Sequence, residues 1–380
     1  MERRAFLRVM AGLAAAGILP RSPWGGAMAV AADGPYGPLG PADANGIMLP
    51  AGFTSREVAR GGSVVGTTGY VWPPFPDGGA VFRAPGGWIY VANSERNAPA
   101  GGVSALRFAR DGSVVDAYAI CTGTGRNCAG GATRWRTWLS CEETVSGNVW
   151  ECDPRGVDAA VRRSALGTFQ HEAVALSPRE RRLYLTEDVP NGCLYRFTPT
   201  RWRDLSAGTL EVAIVSGQDV SWAVVPNPNP VIGVDTPTRL QVPGSTAFNG
   251  GEGITCRRNH VYFTTKGDNR VWDLDTVNDR LTVFYDAALD PTMQLTGVDN
   301  VTHGRSGDLF VAEDGGNMEL VMLTPDGVVA PLLRVVGQDG SELAGPAFDP
   351  TGRRLYVSSQ RGGGSGITYE ISGPFRRRMS

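Results

Sequence analysis

Apolar and polar residues alternate over short stretches of this chain, and one stretch recurs with an aromatic-apolar-small signature. The copies are Tyr90-Val91-Ala92-Asn93, Trp138-Leu139-Ser140-Cys141, Tyr184-Leu185-Thr186-Glu187, Tyr262-Phe263-Thr264-Thr265, Phe310-Val311-Ala312-Glu313 and Tyr356-Val357-Ser358-Ser359. Period-two alternation rich in β-branched and aromatic residues reads as half-buried strand. Successive copies start 48, 46, 78, 48 and 46 residues apart. A period of 46–48 residues fits one four-stranded blade with its connections. The long interval carries about 30 extra residues, placed within 198–246. Turn cues stand upstream of the repeat at Pro85-Gly86-Gly87, Pro178-Arg179-Glu180, Arg305-Ser306-Gly307 and Pro350-Thr351-Gly352. Outside the first residues, no long segment of period 3.6 competes. The pattern predicts an all-β fold, a six-bladed β-propeller with insertions. Asn93, Cys141, Glu187, Thr265, Glu313 and Ser359 should then approach a common axis.

The first residues carry a different pattern. Arg3 and Arg4 precede Ala5-Phe6-Leu7 and an apolar run from Val9 to Leu19, and small residues follow at Ala27, Ala29, Ala31 and Ala32. That run is too short to span a bilayer and suits the core of an export signal. A twin arginine before Phe-Leu marks a Tat-type start, so residues 1–32 read as a signal peptide addressed to the Tat export machinery and 33–380 as the propeller domain. The destination is periplasmic or secreted, with no stable membrane anchor.

Charge narrows the partners. The net charge is −2, and the leader holds four arginines and one glutamate, so its removal leaves about −5. That argues against nucleic acid as a partner. Fifty-one glycines and 26 prolines with 19% charged residues suit a turn-rich β protein. Six cysteines in an oxidising compartment would ordinarily pair. Cys121 and Cys128 flank a short loop that a bridge could close. Cys141 and Cys152 flank a hairpin centred on Ser146-Gly147, and a cross-strand bridge there stands open beside a free thiol.

Acids recur where a propeller needs none for stability. They are Glu95, Glu142-Glu143 after Cys141, Glu172 after His171, Glu187-Asp188, Glu252 in a glycine-rich segment, Asp299, and Glu313-Asp314. Carboxylates gathered on one axis repel unless a cation lies among them. Oxygen donors in this number favour calcium or oxidised iron over zinc, and with only three histidines a three-histidine zinc centre is disfavoured. His171 alone reads as a structural histidine.

With these residues in view, the chain resembles the PhoX family of secreted alkaline phosphatases. The resemblance rests on Trp138-Leu139-Ser140-Cys141-Glu142-Glu143, His171-Glu172-Ala173, 248–254, Val298-Asp299-Asn300 and 355–360 with its trailing glycines. It implies a Tat-exported six-bladed propeller with a mixed iron and calcium (Fe, Ca) centre that hydrolyses small phosphorylated substrates. Carried over, Cys141 is the iron-binding thiolate, and Glu95, Glu172, Glu252, Asp299 and Glu313 are the oxygen ligands. One position departs from the family pattern: where an arginine is expected two residues before Glu252, this chain has Gly250. Lys266, Arg270 or Arg361 would then bind substrate phosphate. If none compensates, activity is weak and Gly250→Arg lowers KM. Two competing readings are a calcium-dependent lactonase-type propeller hydrolase and a non-catalytic, metal-stabilised binding propeller.

Overall fold

The computed structural model describes residues 34–292 and 294–377; the signal peptide expected at 1–32 lies outside the described residues. Strands β1 (Ile47–Met48) and β2 (Thr54–Arg60) precede the repeats. The first repeat is β3 (Pro76–Ala84), β4 (Gly87–Ser94), β5 (Gly101–Ala109) and β6 (Val114–Thr124). The second is β7 (Asn127–Ala132), β8 (Trp138–Glu142), β9 (Val149–Cys152) and β10 (Val161–Arg162). The third is β11 (His171–Ser177), β12 (Arg182–Glu187), β13 (Gly192–Arg201) and β14 (Asp204–Ser216), extended by β15 (Asp219–Val224). After β16 (Ala247–Phe248), the fourth is β17 (Gly251–Arg257), β18 (His260–Thr265), β19 (Arg270–Asp275) and β20 (Arg280–Asp286). The fifth is β21 (Val298–His303), β22 (Leu309–Glu313), β23 (Glu319–Leu323) and β24 (Val329–Val335). The sixth is β25 (Leu343–Phe348), β26 (Arg354–Ser359) and β27 (Ile367–Ser372).

The all-β, propeller-like fold is as the repeat predicts, but the expectation of six separate blades is corrected. Four blades stand in the ring beside one ten-stranded, nearly closed sheet that carries the third and fourth repeats. The insertion causes the fusion. β14 folds back into β15, whose end pairs with β20 at Asp219↔Arg280, reinforced by an Arg280–Asp219 ion pair at 2.7 Å. Outer strand edges are free to pair, and here two outer edges meet. Elsewhere the N-terminus covers edges: β2 completes the sixth repeat by pairing with β27, and β1 pairs with β24.

The first strands of the repeats (β3, β7, β11, β17, β21 and β25) pack consecutively around the axis, and β25 closes back on β3. Apolar faces fill the gaps between repeats. At the seam, Tyr90 stacks on Tyr356 at 4.9 Å, and the Trp88 indole N–H donates to the Tyr356 hydroxyl at 2.9 Å.

One irregularity repeats and sets the chemistry. Each first strand begins with a pairing to the last residue of the second: Pro76↔Ser94, Asn127↔Glu142, His171↔Glu187, Gly251↔Thr265, Val298↔Glu313 and Leu343↔Ser359. The ladder then shifts register through a β-bulge in every repeat. A bulge re-aims the residue it contains. Within it, Gly78, Gly253 and Gly345 approach neighbouring backbone so closely that no Cβ fits. A small cavity of about 40 Å³ is lined by these glycines.

Candidate metal centre

The second residue of each first strand, lying at the bulge, gives one tier of side chains: Asp77, Cys128, Glu172, Glu252 and Asp299, with Ala344 in the sixth repeat. The residue after each second strand gives another tier: Glu95, Glu143, Asp188, Lys266, Asp314 and Gln360. Glu342, just before β25, stands in for the acid that Ala344 lacks. The positions just before the second-strand ends brace the first tier from the preceding repeat. Asn93 Nδ2 donates to the carbonyls of Cys128 and Ala129 at 3.0 and 2.7 Å. Thr186 and Thr264 hydroxyls donate to the carbonyls of Glu252 and Asp299 at 2.5 and 2.6 Å.

Donor atoms converge in four overlapping groups, each within 4.8 Å: Cys128, Glu143 and Glu172; Asp77, Glu95 and Glu342; Glu172, Glu252 and Asp299; Asp299, Asp314 and Glu342. Glu172, Asp299 and Glu342 are each shared by two groups, so the cluster is continuous. The Cys128 thiol lies 3.4 Å from Glu172 Oε1 and 3.7 Å from Asp77 Oδ2. Gln360 Nε2 donates to Asp77 at 2.5 Å and Glu95 at 2.9 Å.

Three cations answer this charge. Lys266 Nζ lies 2.9 Å from both Glu252 and Asp314. Arg126 lies 2.9 Å from Glu95 and 2.8 Å from Glu143, and Arg361 pairs with Glu342 at 2.7 Å. They are outnumbered. Burial first, then mutual repulsion, pushes the carboxyls of Asp77, Glu172 and Glu252 well above the usual range. Burial likewise pushes Asp299 up to about 7, Glu342 to about 8 and Asp188 to about 6, and raises the Cys128 thiol. Glu172 is wholly buried, and its Oε2 has no hydrogen-bond partner. A buried carboxylate oxygen left without a donor is costly unless a cation meets it. Oxygens plus one thiol form a donor set suited to calcium and iron.

Of the residues singled out from sequence, Glu95, Glu172, Glu252 and Asp299 come together here, with Lys266 and Arg361 among them. Three do not. Cys141 is buried in an apolar cluster with Leu139, Val149, Leu166 and Phe169, and the thiol that lies among the acids is that of Cys128. Glu313 turns its carboxylate back to accept the N–H groups of Thr296 and Glu319, at 3.0 and 2.9 Å. Arg270 is held on β19 by Asp286 and Asp268. All six cysteines are unpaired; Cys141 faces Val149 across the ladder while Cys152 faces Trp138, so the two are not opposite. His171 is buried neutral against Phe169 and the Gly167 carbonyl, its basicity lowered by burial to about 3. Sequence reasoning missed Asp77, Cys128, Glu342 and the cation Arg126. Glu143, Asp188 and Asp314 were visible as the second acid of each pair.

A ring of β-meanders with a buried acid and thiol cluster at one mouth of its channel defines a propeller-like protein with a polar, chemically loaded axis. The sequence matches the model of the family described as alkaline phosphatase PhoX over residues 80–153 and 146–284, more than half of the chain, and the chain belongs to that family. The fold is similar to that of Pseudomonas fluorescens PhoX, solved in complex with vanadate, a transition state analogue (TM-score 0.73, 16% identity, covering 88% of this chain and 97% of that one). It is also similar to a gluconolactonase of Xanthomonas campestris (TM-score 0.54, 12% identity, 90% and 99% covered). A Bacteroides thetaiotaomicron protein of unknown function matches with TM-score 0.54 and 12% identity, covering 84% of this chain and 76% of that one. No curated protein matches the sequence. Among the described residues, no helix is long and apolar enough to cross a membrane.

Proposed function

We propose that this chain hydrolyses phosphomonoesters of small molecules at the acidic mouth of its channel, with iron and calcium as its metal ions. The observation that carries this reading is the wholly buried Glu172 carboxylate, one oxygen unpartnered among other acids, in a chain of the PhoX family. Cys128, Glu143 and Glu172 would hold iron, the thiol supplying the softer donor. Asp77, Glu95 and Glu342, and Asp299 with Asp314, offer oxygen alone and would hold calcium. Such ions, when bound, neutralise phosphoryl oxygens and make an attacking water more acidic.

The chain's own groups supply position and charge. Arg126, Lys266 and Arg361 are each partly exposed and face the same mouth, where they would draw in and orient a phosphate dianion. Release through a Tat-type signal to the periplasm or beyond is part of the same proposal.

Elemental analysis of the purified protein beside a 4-nitrophenyl phosphate assay tests it. Iron together with calcium, and turnover lost on chelation, is the expected result. Calcium alone with lactone hydrolysis would support the lactonase-type reading, and bound metal without either turnover would leave a binding propeller.

A further inference from the structure

The same first strands that deliver acids at their starts end in a cavity of about 540 Å³ at the opposite mouth. The ends of β7, β11, β17 and β21 converge on it, and its polar lining includes Thr133, Arg134, Arg179, Arg258, Asn259 and His303. No carboxylate lines it. Among the described residues none of the three arginines forms an ion pair, although Glu180 shares a hairpin with Arg179. Arg179 is held in place by the Asn259 side chain at 2.7 Å. His303 binds the Thr255 hydroxyl through Nδ1 at 2.9 Å, and Nε2 takes no part in that bond.

A second observation bears on Arg258. The hairpin between first and second strands contains one left-handed residue in each repeat. In the first, fifth and sixth it is glycine: Gly86, Gly307 and Gly352, with φ of 78°, 105° and 67°. In the second, third and fourth it is arginine: Arg136, Arg181 and Arg258, with φ of 71°, 57° and 58°. Arginine gains nothing from that conformation, which its Cβ disfavours, and glycine adopts it freely. Of these three only Arg258 lines the cavity; Arg136 and Arg181 each stand two residues further along their hairpins than the lining residues Arg134 and Arg179. Backbone strain of this kind, once observed, is a pointer to function.

We propose that this far mouth is a second site, separate from the acidic centre, that binds a small oxoanion of the phosphate class. Three arginines line the cavity, none of them in an ion pair among the described residues, and their guanidiniums offer the charge-assisted bonds such an anion needs. The residues that line it stand at the opposite ends of the first strands from the acid cluster, so the two sites are separate.

Equilibrium dialysis of the purified, metal-loaded protein against radiolabelled inorganic phosphate at low ionic strength tests this. The comparison is with the triple variant Arg134→Ser, Arg179→Ser, Arg258→Gly and with the single variant Arg258→Gly. Wild type should bind one phosphate more per chain than the triple variant, and Arg258→Gly should weaken that site at least tenfold. Thermal unfolding without phosphate should occur at a higher temperature for Arg258→Gly, since glycine relieves the strain. The kcat/KM on 4-nitrophenyl phosphate should be unchanged in both. Equal phosphate uptake by wild type and a folded triple variant overturns the proposal, whatever the unfolding temperatures.

Discussion

The two mouths of the channel are built from the two ends of the same strands, yet they carry opposite charge. At the strand starts a bulge re-aims the second residue of each first strand, and acids and a thiol occupy that place in five of the six repeats. At the strand ends the ladder is regular up to a hairpin, and arginines project from the turns. The lesson is that local backbone irregularity, more than residue type, marks the side chains aimed at the axis. Glu172 and Glu313 make the point. The sequence offers both as oxygen ligands, but Glu172 lies in a bulge and faces the cluster, whereas Glu313 ends a regular strand and caps its own loop.

The largest effect should follow from exchanging the two cysteines one at a time. Cys128→Ser should lose most of the iron and cut kcat/KM by on the order of 10²-fold, because a hydroxyl replaces a soft, ionisable donor. Cys141→Ser should keep its metals and lose about 1–3 kcal/mol of stability, because it buries a hydroxyl among apolar neighbours. Metal content by elemental analysis and unfolding by denaturant separate the two. Iron lost from Cys141→Ser and retained by Cys128→Ser would reverse the assignment.

Stripping the metals should sharpen the contrast between the mouths through pH. Asp299 and Glu342 are held at about 7 and 8 in the folded chain, against about 4 for an unfolded carboxyl. The folded state therefore binds more protons, and stability must fall as pH rises from about 4 to 8. The stripped protein should lose on the order of several kcal/mol over that window, since each tenfold change in a group's proton affinity is worth about 1.4 kcal/mol. Adding calcium should restore stability most at the high-pH end. Calorimetric melts at pH 5 and pH 8, with and without chelator, measure both; a stripped protein that melts higher at pH 8 would refute the account.

Much of the fold and about half of the cluster are legible in the sequence, and the misplacement of Cys141 has a definite physical origin. The aromatic signature aligns Tyr90 with Tyr184, whereas the ladders align Ser94 with Glu187. The first two copies of the signature thus stand one residue out of phase with the rest. In a strand, one residue of slip exchanges the faces. The signature thereby matches Cys141 with Glu187, when the counterparts of Cys141 are Asn93 and Thr186, which brace the next repeat. Cys128 and Asp77 escape a reading by signature because the first strands have none of their own; their pattern is a bulge, which composition does not reveal. The fusion of two repeats depends on where β15 folds back, and no spacing encodes that.

A smaller effect should come from Glu313→Ala, set against Glu172→Ala. Removing Glu313 leaves the Thr296 and Glu319 N–H groups without their acceptor, which costs about 1–3 kcal/mol. Metal content should be unchanged. Glu172→Ala should instead lower metal content and relieve repulsion in the stripped protein. Metal lost from Glu313→Ala as readily as from Glu172→Ala would return Glu313 to the ligand set.

The smallest effect concerns Gly250, where the family pattern leads one to expect arginine and where the sequence alone suggests that arginine would lower KM. Gly250 has φ of 71°, its N–H donates to the Val189 carbonyl at 3.1 Å, and its carbonyl accepts from the Lys266 N–H at 2.9 Å. A Cβ there would stand 3.3 Å from Asp188 Oδ1 and 3.8 Å from Lys266 Cβ. Any side chain at 250 therefore carries left-handed strain, on the order of 1 kcal/mol or somewhat more. A guanidinium placed there meets Asp188 before it meets substrate, and Lys266, Arg126 and Arg361 already bring positive charge to this mouth. Gly250→Ala and Gly250→Arg should thus lose similar stability, and Gly250→Arg should show no lower KM at matched metal loading. The alanine variant isolates the backbone cost, so the arginine's own contribution is the difference between them. A KM several-fold lower for Gly250→Arg than for Gly250→Ala would show that the mouth still lacks a phosphate-binding cation.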